Sequence, residues 1–118
     1  MSTIRDFNTT LNEFLNDILL IFPNNNGIKK QKLQFEYGIK ANVYIAYEKL
    51  IHNLMKHSNL IVTRNENAIP IVNEIFSDID LVEMWNSNLI TISIKNTIWD
   101  YIETLLVIGT HIYVSKSK

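Results

Sequence analysis

The 118-residue chain has no cysteine, three glycines and two prolines. Without thiols it forms no disulfide, thiolate metal site or thiol nucleophile, which suits a reducing compartment. Glycine-rich phosphate loops, nucleophile elbows and paired-carboxylate patterns are also missing from the sequence. We therefore expect a protein that is not an enzyme and that takes no cofactor.

Strong net charge and long hydrophobic runs are lacking as well. The formal net charge is −1, so there is no global attraction to nucleic acid or to an anionic membrane. The longest apolar runs, residues 18–22 and 105–109, fall far short of the roughly 20 residues that a membrane span needs. The beginning of the sequence does not resemble a secretory signal. We expect an intracellular protein that does not enter membranes.

Apolar residues, in contrast, are plentiful. They make up 47% of the sequence, which at this length is enough for one modest core but not for two. We expect a single domain over residues 1–118, with residues 115–118 as a frayed tail.

The most legible segment is residues 2–23, which predicts a helix that runs to about Ile21 or Phe22. Its apolar side chains recur at spacings of three and four, at Ile4, Phe7, Leu11, Phe14, Ile18 and Ile21. This spacing places them on one helical face that must be buried. Ser2 or Thr3 can cap the helix, Asp6 lies in its first turn, and Pro23 ends it.

Two further helices are predicted in the first half of the chain. Residues 24–27 form a turn, because asparagine and glycine tolerate left-handed backbone. Residues 28–37 fit either a strand or a helix, and we favour a helix since a lone strand would have no partner. Gly38 predicts a break or kink, after which a central helix runs to about His57. The main apolar stripe of that helix is Val43, Tyr47, Leu50 and Leu54.

The second half of the chain shows weaker signals. Residues 58–70 are interpreted as a connection in which Pro70 forces Ile69 out of the helical region. Residues 71–85 predict a fourth helix in one or two pieces, with an alternative start near Asp78. A last helix begins at residue 93 or 96. Together these segments predict an all-α fold, a compact bundle of four to five helices.

A basic patch follows the first turn. Its members are Lys29, Lys30, Lys32 and Lys40. Phe35 and Tyr37 lie between them, and lysines interleaved with aromatic rings are typical of nucleic-acid grooves. The alternative interpretation places the rings in the core and the lysines in solvent.

An acidic patch lies later in the sequence, where the carboxylates have no lysine or arginine between them. Its members are Glu74, Asp78, Asp80 and Glu83. Their spacing does not fit a calcium-binding loop. The patch is therefore interpreted as a solvated helix face or as an acidic docking surface.

The histidines do not predict a metal site. His52 and His57 are five residues apart, so on a helix their side chains diverge by about 140°. Glu48 and His52 could share a ligand, but zinc needs at least three protein ligands. We expect no metal ion to be bound.

A set of apolar and aromatic residues spread along most of the chain is distinctive: Phe7, Leu11, Phe14-Leu15, Ile18, Phe22-Pro23, Trp85 and the run IWDYIETL at 98–105. In these residues the chain resembles a group of small uncharacterised proteins of nucleocytoplasmic large DNA viruses (giant viruses). Members of that group tend to carry lysine in place of Asp100. They have no established activity, so the resemblance implies a helical fold and a viral origin.

These observations lead to one expected function and two alternatives. We expect a non-enzymatic viral protein that binds a protein partner or a second copy of itself through the Lys29–Lys40 and Glu74–Glu83 regions. The alternatives are a nucleic-acid-associated accessory factor that uses the Lys29–Lys40 patch and a minor structural component of the virion. The expected location is the host cytoplasm or viral factory, with packaging in virions left open.

Overall fold

The structure is a computed structural model that describes residues 3–76 and 79–116. Helices account for nearly all the regular structure of these residues. The α-helices are α1 (Ile4–Ile21), α2 (Asn26–Ala41), α3 (Ile45–Lys56), α4 (Ser58–Val62), α5 (Ile69–Ile75), α6 (Leu81–Trp85) and α7 (Ile92–Lys116), with a 3-10 turn at Glu66–Ala68. The described residues contain no strand, and the predicted all-α bundle is confirmed. The described residues form seven α-helices because the segment between α3 and α7 divides into short pieces.

The first helix forms as its sequence predicts. The Thr3 hydroxyl accepts a hydrogen bond from the backbone N–H of Asp6, whose carboxylate accepts from the Thr3 N–H, so the two residues form a capping box. The helix ends at Ile21, before Pro23. Four members of the predicted stripe are buried, namely Phe7, Leu11, Phe14 and Ile18.

The predicted break at Gly38 is wrong, since α2 continues through it to Ala41. Glycine costs a helix interior roughly 1 kcal/mol, and burial of Ile28 and Phe35 on the same helix offsets that cost. The missing side chain also makes room for α3, because a Cβ at Gly38 would lie 3.1 Å from Cγ2 of Ile45.

The turn before α2 is tighter than predicted. Its Asn25 side chain caps α2 by accepting a hydrogen bond from the N–H of Ile28 at 3.0 Å. Asn26 and Gly27 already belong to the helix, and Gly27 does not adopt a positive φ. The left-handed conformation expected in this turn is therefore not used.

Pro70 begins a helix instead of ending a connection. Ile69 has helical dihedral angles, φ −60° and ψ −46°, so the prediction that Pro70 forces it out of the helical region is wrong. Proline is tolerated in a first helical turn because its missing N–H would have no intrahelical partner there. Residues 58–70 thus hold α4 and the 3-10 turn in place of an irregular connection.

The segment 71–85 forms two helical pieces, α5 and α6, as one of the two sequence interpretations allowed. The second piece starts at Leu81, because Asp80 is its N-cap and accepts a hydrogen bond from the N–H of Glu83 at 3.0 Å. The alternative start near Asp78 falls on a residue outside the described part of the chain.

The last helix is longer than predicted at both ends. It begins at Ile92, one residue before the earlier of the two predicted starts, and it includes residues 115 and 116 of the predicted frayed tail. The Lys116 ammonium group lies 4.2 Å from the ring centroid of Tyr44 and 5.6 Å from that of Tyr47. These cation–π contacts hold the final turn of α7 against the start of α3. Residues 117 and 118 lie outside the described residues.

The core is one continuous cluster built around α7, which packs on α1, α3 and α4. The cluster includes Phe7, Phe14, Ile18, Leu50, Leu54 and Trp99. Trp85 is also buried, and the rings of the two tryptophans pack edge to face with centroids 5.5 Å apart.

Gly109 sits where α7 comes closest to α1 and α3. A Cβ at this position would collide with Cδ1 of Ile51 and would lie 3.3 Å from Cε2 of Phe7. Gly109 and both neighbours are buried. Helix propensity alone counts this glycine as a weakness of α7, whereas the packing of three helices requires it.

A polar contact also joins α1 to α7. The Tyr101 hydroxyl donates a hydrogen bond to Oδ2 of Asp17. This bond, with partial burial and the negative charges of Asp17 and Glu13, raises the pKa of Tyr101 to about 12. The protonated tyrosine is therefore favoured more strongly in the folded state than in the unfolded chain.

Tyr101→Phe should lower the free energy of unfolding by about 1 kcal/mol at neutral pH. Because the folded pKa lies above the ordinary value of 10.0, the stabilisation by Tyr101 is complete below about pH 10 and is lost as the pH rises to about 12. Urea unfolding of both proteins across this range is the measurement. The stability difference should shrink with rising pH, and a constant difference would contradict the assignment.

Candidate interaction surfaces

The exposed side of α2 carries a stripe that mixes basic and apolar side chains. We define the basic–apolar stripe as Lys29, Leu33, Tyr37 and Lys40, whose spacings of four, four and three place them on one helical face. Leu33 is 51% exposed and Tyr37 is 68% exposed, and both lysines face solvent. Over about 16 Å of helix, large apolar groups thus lie between two cations.

The other two predicted lysines lie outside the stripe. Lys30 is exposed one residue along from Lys29. Lys32 is half-buried, and its ammonium group lies 3.3 Å from Oε1 of Glu36, one turn further on. The structure therefore brings Lys29 and Lys40 together on the stripe and partly neutralises Lys32 within α2.

The two rings near these lysines have different environments. Phe35 is in the core, and its ring centroid lies 6.2 Å from that of Phe76. This position agrees with the interpretation that places the rings of the patch in the core. Tyr37 remains in solvent, and the ammonium group of Lys40 lies 5.8 Å from its ring centroid. Tyr37 is therefore the ring of this pair that a partner can reach.

A groove runs beside the stripe, between α1 and α2. We call it the α1/α2 groove, and its volume is about 730 Å³. Its lining residues are Ile4, Arg5, Asn8, Thr9 and Asn12 of α1, Glu36, Ile39 and Lys40 of α2, and Val43. Lys40 belongs to both the groove and the stripe, so the two features form one continuous surface.

Val43 has a different role from the one predicted. It precedes α3 and is 47% exposed, so it is not part of the central apolar stripe. The Asn8 side chain donates a hydrogen bond from Nδ2 to the Val43 carbonyl oxygen at 2.9 Å, which fixes the α2–α3 connection against α1. Val43 is thereby held at the end of the groove.

The acidic patch is partly committed to local structure. Glu74, Asp80 and Glu83 are all exposed, and the Asp80 carboxylate also caps α6. The Asn73 side-chain oxygen accepts hydrogen bonds from the N–H groups of Leu81 and Val82 and ties the same segment to α5. Asp78 lies outside the described residues. Of the described acidic residues in this patch, Glu74 and Glu83 are the ones whose side chains do not cap α6.

Arg64 holds a second group of carboxylates. It has a left-handed backbone, with φ 52°, and its guanidinium bonds Asp100 at 2.5 Å and Glu103 at 3.2 Å. The hydrogen bond that Arg64 donates to Asp100 contributes most to raising the pKa of Arg64. Asp100 thus links α7 to the residues that follow α4.

Glu66 forms a third polar cluster, next to the tryptophan pair. Its carboxylate accepts hydrogen bonds from the Trp85 indole N–H at 2.7 Å and from the Lys95 ammonium at 3.3 Å. These two bonds, the indole first, lower the pKa of Glu66. The cluster satisfies the polar edge of a buried indole and has a structural role.

The described residues offer no group of three histidine, cysteine, aspartate or glutamate side chains that could hold a metal ion. Among those same residues, no helix is both long and apolar enough to cross a membrane.

Comparison of the chain with models of protein families, with curated proteins and with solved structures finds no match.

Proposed function

We propose that the protein is a non-enzymatic interaction protein that binds a partner protein through the basic–apolar stripe of α2. The supporting observation is the exposure of Leu33 and Tyr37 between Lys29 and Lys40. Tyrosine is enriched at protein interfaces because it combines a large apolar body with a polar tip. The flanking lysines would steer an acidic partner toward the apolar centre.

Two observations favour a protein partner over nucleic acid. Phe35 is buried and leaves Tyr37 as the stacking ring of the patch, while the Lys32 charge is shared with Glu36. Nucleic-acid grooves use several rings along a row of phosphate-binding cations. A partner protein with acidic and apolar side chains would contact both the lysines and the apolar side chains of the stripe.

A protein partner also fits better than self-association through the acidic patch. Asp80 is engaged as a helix cap, which holds its carboxylate at the start of α6 and limits the ways in which it can meet the lysines of a second copy. The resemblance to giant-virus proteins supports a viral, intracellular setting for the interaction. Viral origin, location and a structural role in the virion stay predictions of that resemblance.

The test is affinity purification from producing cells with the double variant Lys29→Glu, Lys40→Glu. Proteins captured by the wild type should be lost from the double variant, because both lysines face solvent and their reversal repels an acidic partner without disturbing the core. Lys56→Glu is the matched control, since Lys56 is an exposed lysine of α3 that is not a member of the stripe.

Two results would contradict the proposal. One is an identical set of captured proteins from the wild type and the double variant. The other is binding of mixed-sequence nucleic acid that weakens steeply with salt and disappears in the double variant, since counterion release marks contacts to phosphate. Circular dichroism of all variants checks that the helices remain folded.

A further inference from the structure

The α1/α2 groove has the dimensions of a binding site for a helix. Its volume of about 730 Å³ lies in the range of ligand-binding clefts. On α1 the lining extends from Ile4 to Asn12, which is about 12 Å or two helical turns. Anchor side chains of a docked helix at positions i, i+4 and i+7 span about 10.5 Å. Such anchors fit along the length of the groove.

The groove combines an apolar lining with rigid walls. Ile4, Ile39 and Val43 supply the apolar contact surface. The walls are two long helices that pack on each other, and the hydrogen bond from Asn8 to the Val43 carbonyl holds the end. A partner would therefore meet a preformed surface, which reduces the ordering cost of binding.

The charges on the rim are unequal. Arg5 and Lys40 are exposed cations on opposite walls, one from each helix. The rim carboxylate of Glu36 is paired with Lys32 at 3.3 Å, so its charge is offset within α2. The rim thus presents excess positive charge above an apolar lining, which complements apolar side chains flanked by aspartate or glutamate.

We propose that the α1/α2 groove binds an acidic amphipathic helix of a partner protein. The apolar face of that helix packs on Ile4, Ile39 and Val43, and its carboxylates meet Arg5 and Lys40. This inference rests on the proposed function and deepens it, because Lys40 joins the groove to the basic–apolar stripe. The groove supplies the apolar contact, and the stripe extends the cationic surface beside it.

The experiment uses a fluorescein-labelled peptide of about 18 residues, or five helical turns, with leucines at positions i, i+4, i+7 and i+11 and mainly glutamate and alanine elsewhere. Fluorescence anisotropy measures its binding to the full chain. The matched peptides are a scramble that disperses the leucines and a version with lysine in place of glutamate. Binding of the acidic amphipathic peptide alone is the expected result.

Val43→Asp should weaken binding of this peptide by at least about tenfold, because it places a charge in the apolar lining and repels the peptide carboxylates. Val43 is half-exposed and outside the helices, so the fold should be retained. Lys40→Glu should weaken binding as well, and Lys56→Glu should leave it unchanged. Equal binding of the scrambled peptide, or unchanged binding by Val43→Asp, would overturn the proposal.

Other occupants give distinct results. Sedimentation that reveals a dimer of the wild type which Val43→Asp dissociates would assign the groove to a second copy and overturn the inference. If natural partners are lost on Lys29→Glu, Lys40→Glu but kept on Val43→Asp, the stripe functions without the groove. In that case the inference fails while the proposed function stands.

Discussion

Replacing Phe14 by alanine is expected to lower the free energy of unfolding by about 3–5 kcal/mol. Phe14 is 1% exposed, and its ring centroid lies 5.5 Å from that of Tyr101 and 6.0 Å from that of Phe76. The substitution removes these contacts and leaves a cavity between α1, α7 and the end of α5. A loss of this size is a large part of the stability of a small domain.

Urea denaturation followed by circular dichroism measures this effect. Leu20→Ala is the matched control on α1, because Leu20 is 79% exposed and its truncation should cost less than about 0.5 kcal/mol. Similar midpoints for the two variants would mean that the Phe14 face of α1 is not part of the core.

Gly109→Val should cost about 2–3 kcal/mol, through overpacking. The added side chain would overlap Ile51 and press on Phe7, both of which are buried. Valine has a better helix propensity than glycine, so a propensity argument alone predicts the opposite sign. The experiment therefore separates local preference from packing.

Gly38→Val provides the comparison, because it makes the same change inside another helix. Its neighbour Ile45 is 41% exposed and can move, so the loss should stay below about 1 kcal/mol. Thermal unfolding of both variants is the measurement. Equal losses would show that the close approach at Gly109 does not limit stability.

The sequence predicts α1 and the core best, for a physical reason. Phe7, Leu11 and Phe14 are spaced three and four residues apart, and a helix is the structure that places side chains at these spacings on one face. Few other local structures would bury all of them together. The fold class could be predicted because such periodic apolar stripes recur in the sequence.

Single residues that disfavour helices were less reliable guides. Gly38 was expected to break α2 and Pro70 to exclude Ile69 from a helix, yet both lie within helices. The costs they carry are local and are offset by burial of neighbouring side chains or by a position in the first turn. Burial of Gln31 was not predicted for a different reason, since polar side chains are mostly exposed, yet Gln31 is 1% exposed.

The candidate site was predicted in part. The basic patch was visible in the sequence, but its division into stripe lysines and the Lys32–Glu36 pair depends on helix geometry. The α1/α2 groove was not predicted, because it depends on how two helices and Val43 pack in three dimensions. A sequence pattern indicates which residues are apolar, but it does not show where packed helices leave a groove between them.

The extensive packing of α1 on α7 has a consequence for how the chain folds. During synthesis α1 leaves the ribosome before α7 is made. The apolar face of α1 therefore lacks α7, the helix on which it packs most extensively. Bringing these two helices together closes a long loop, which is an entropically costly and slow step. The core therefore assembles only after α7 is available, and until then the apolar face of α1 lacks its main cover and is prone to aggregation.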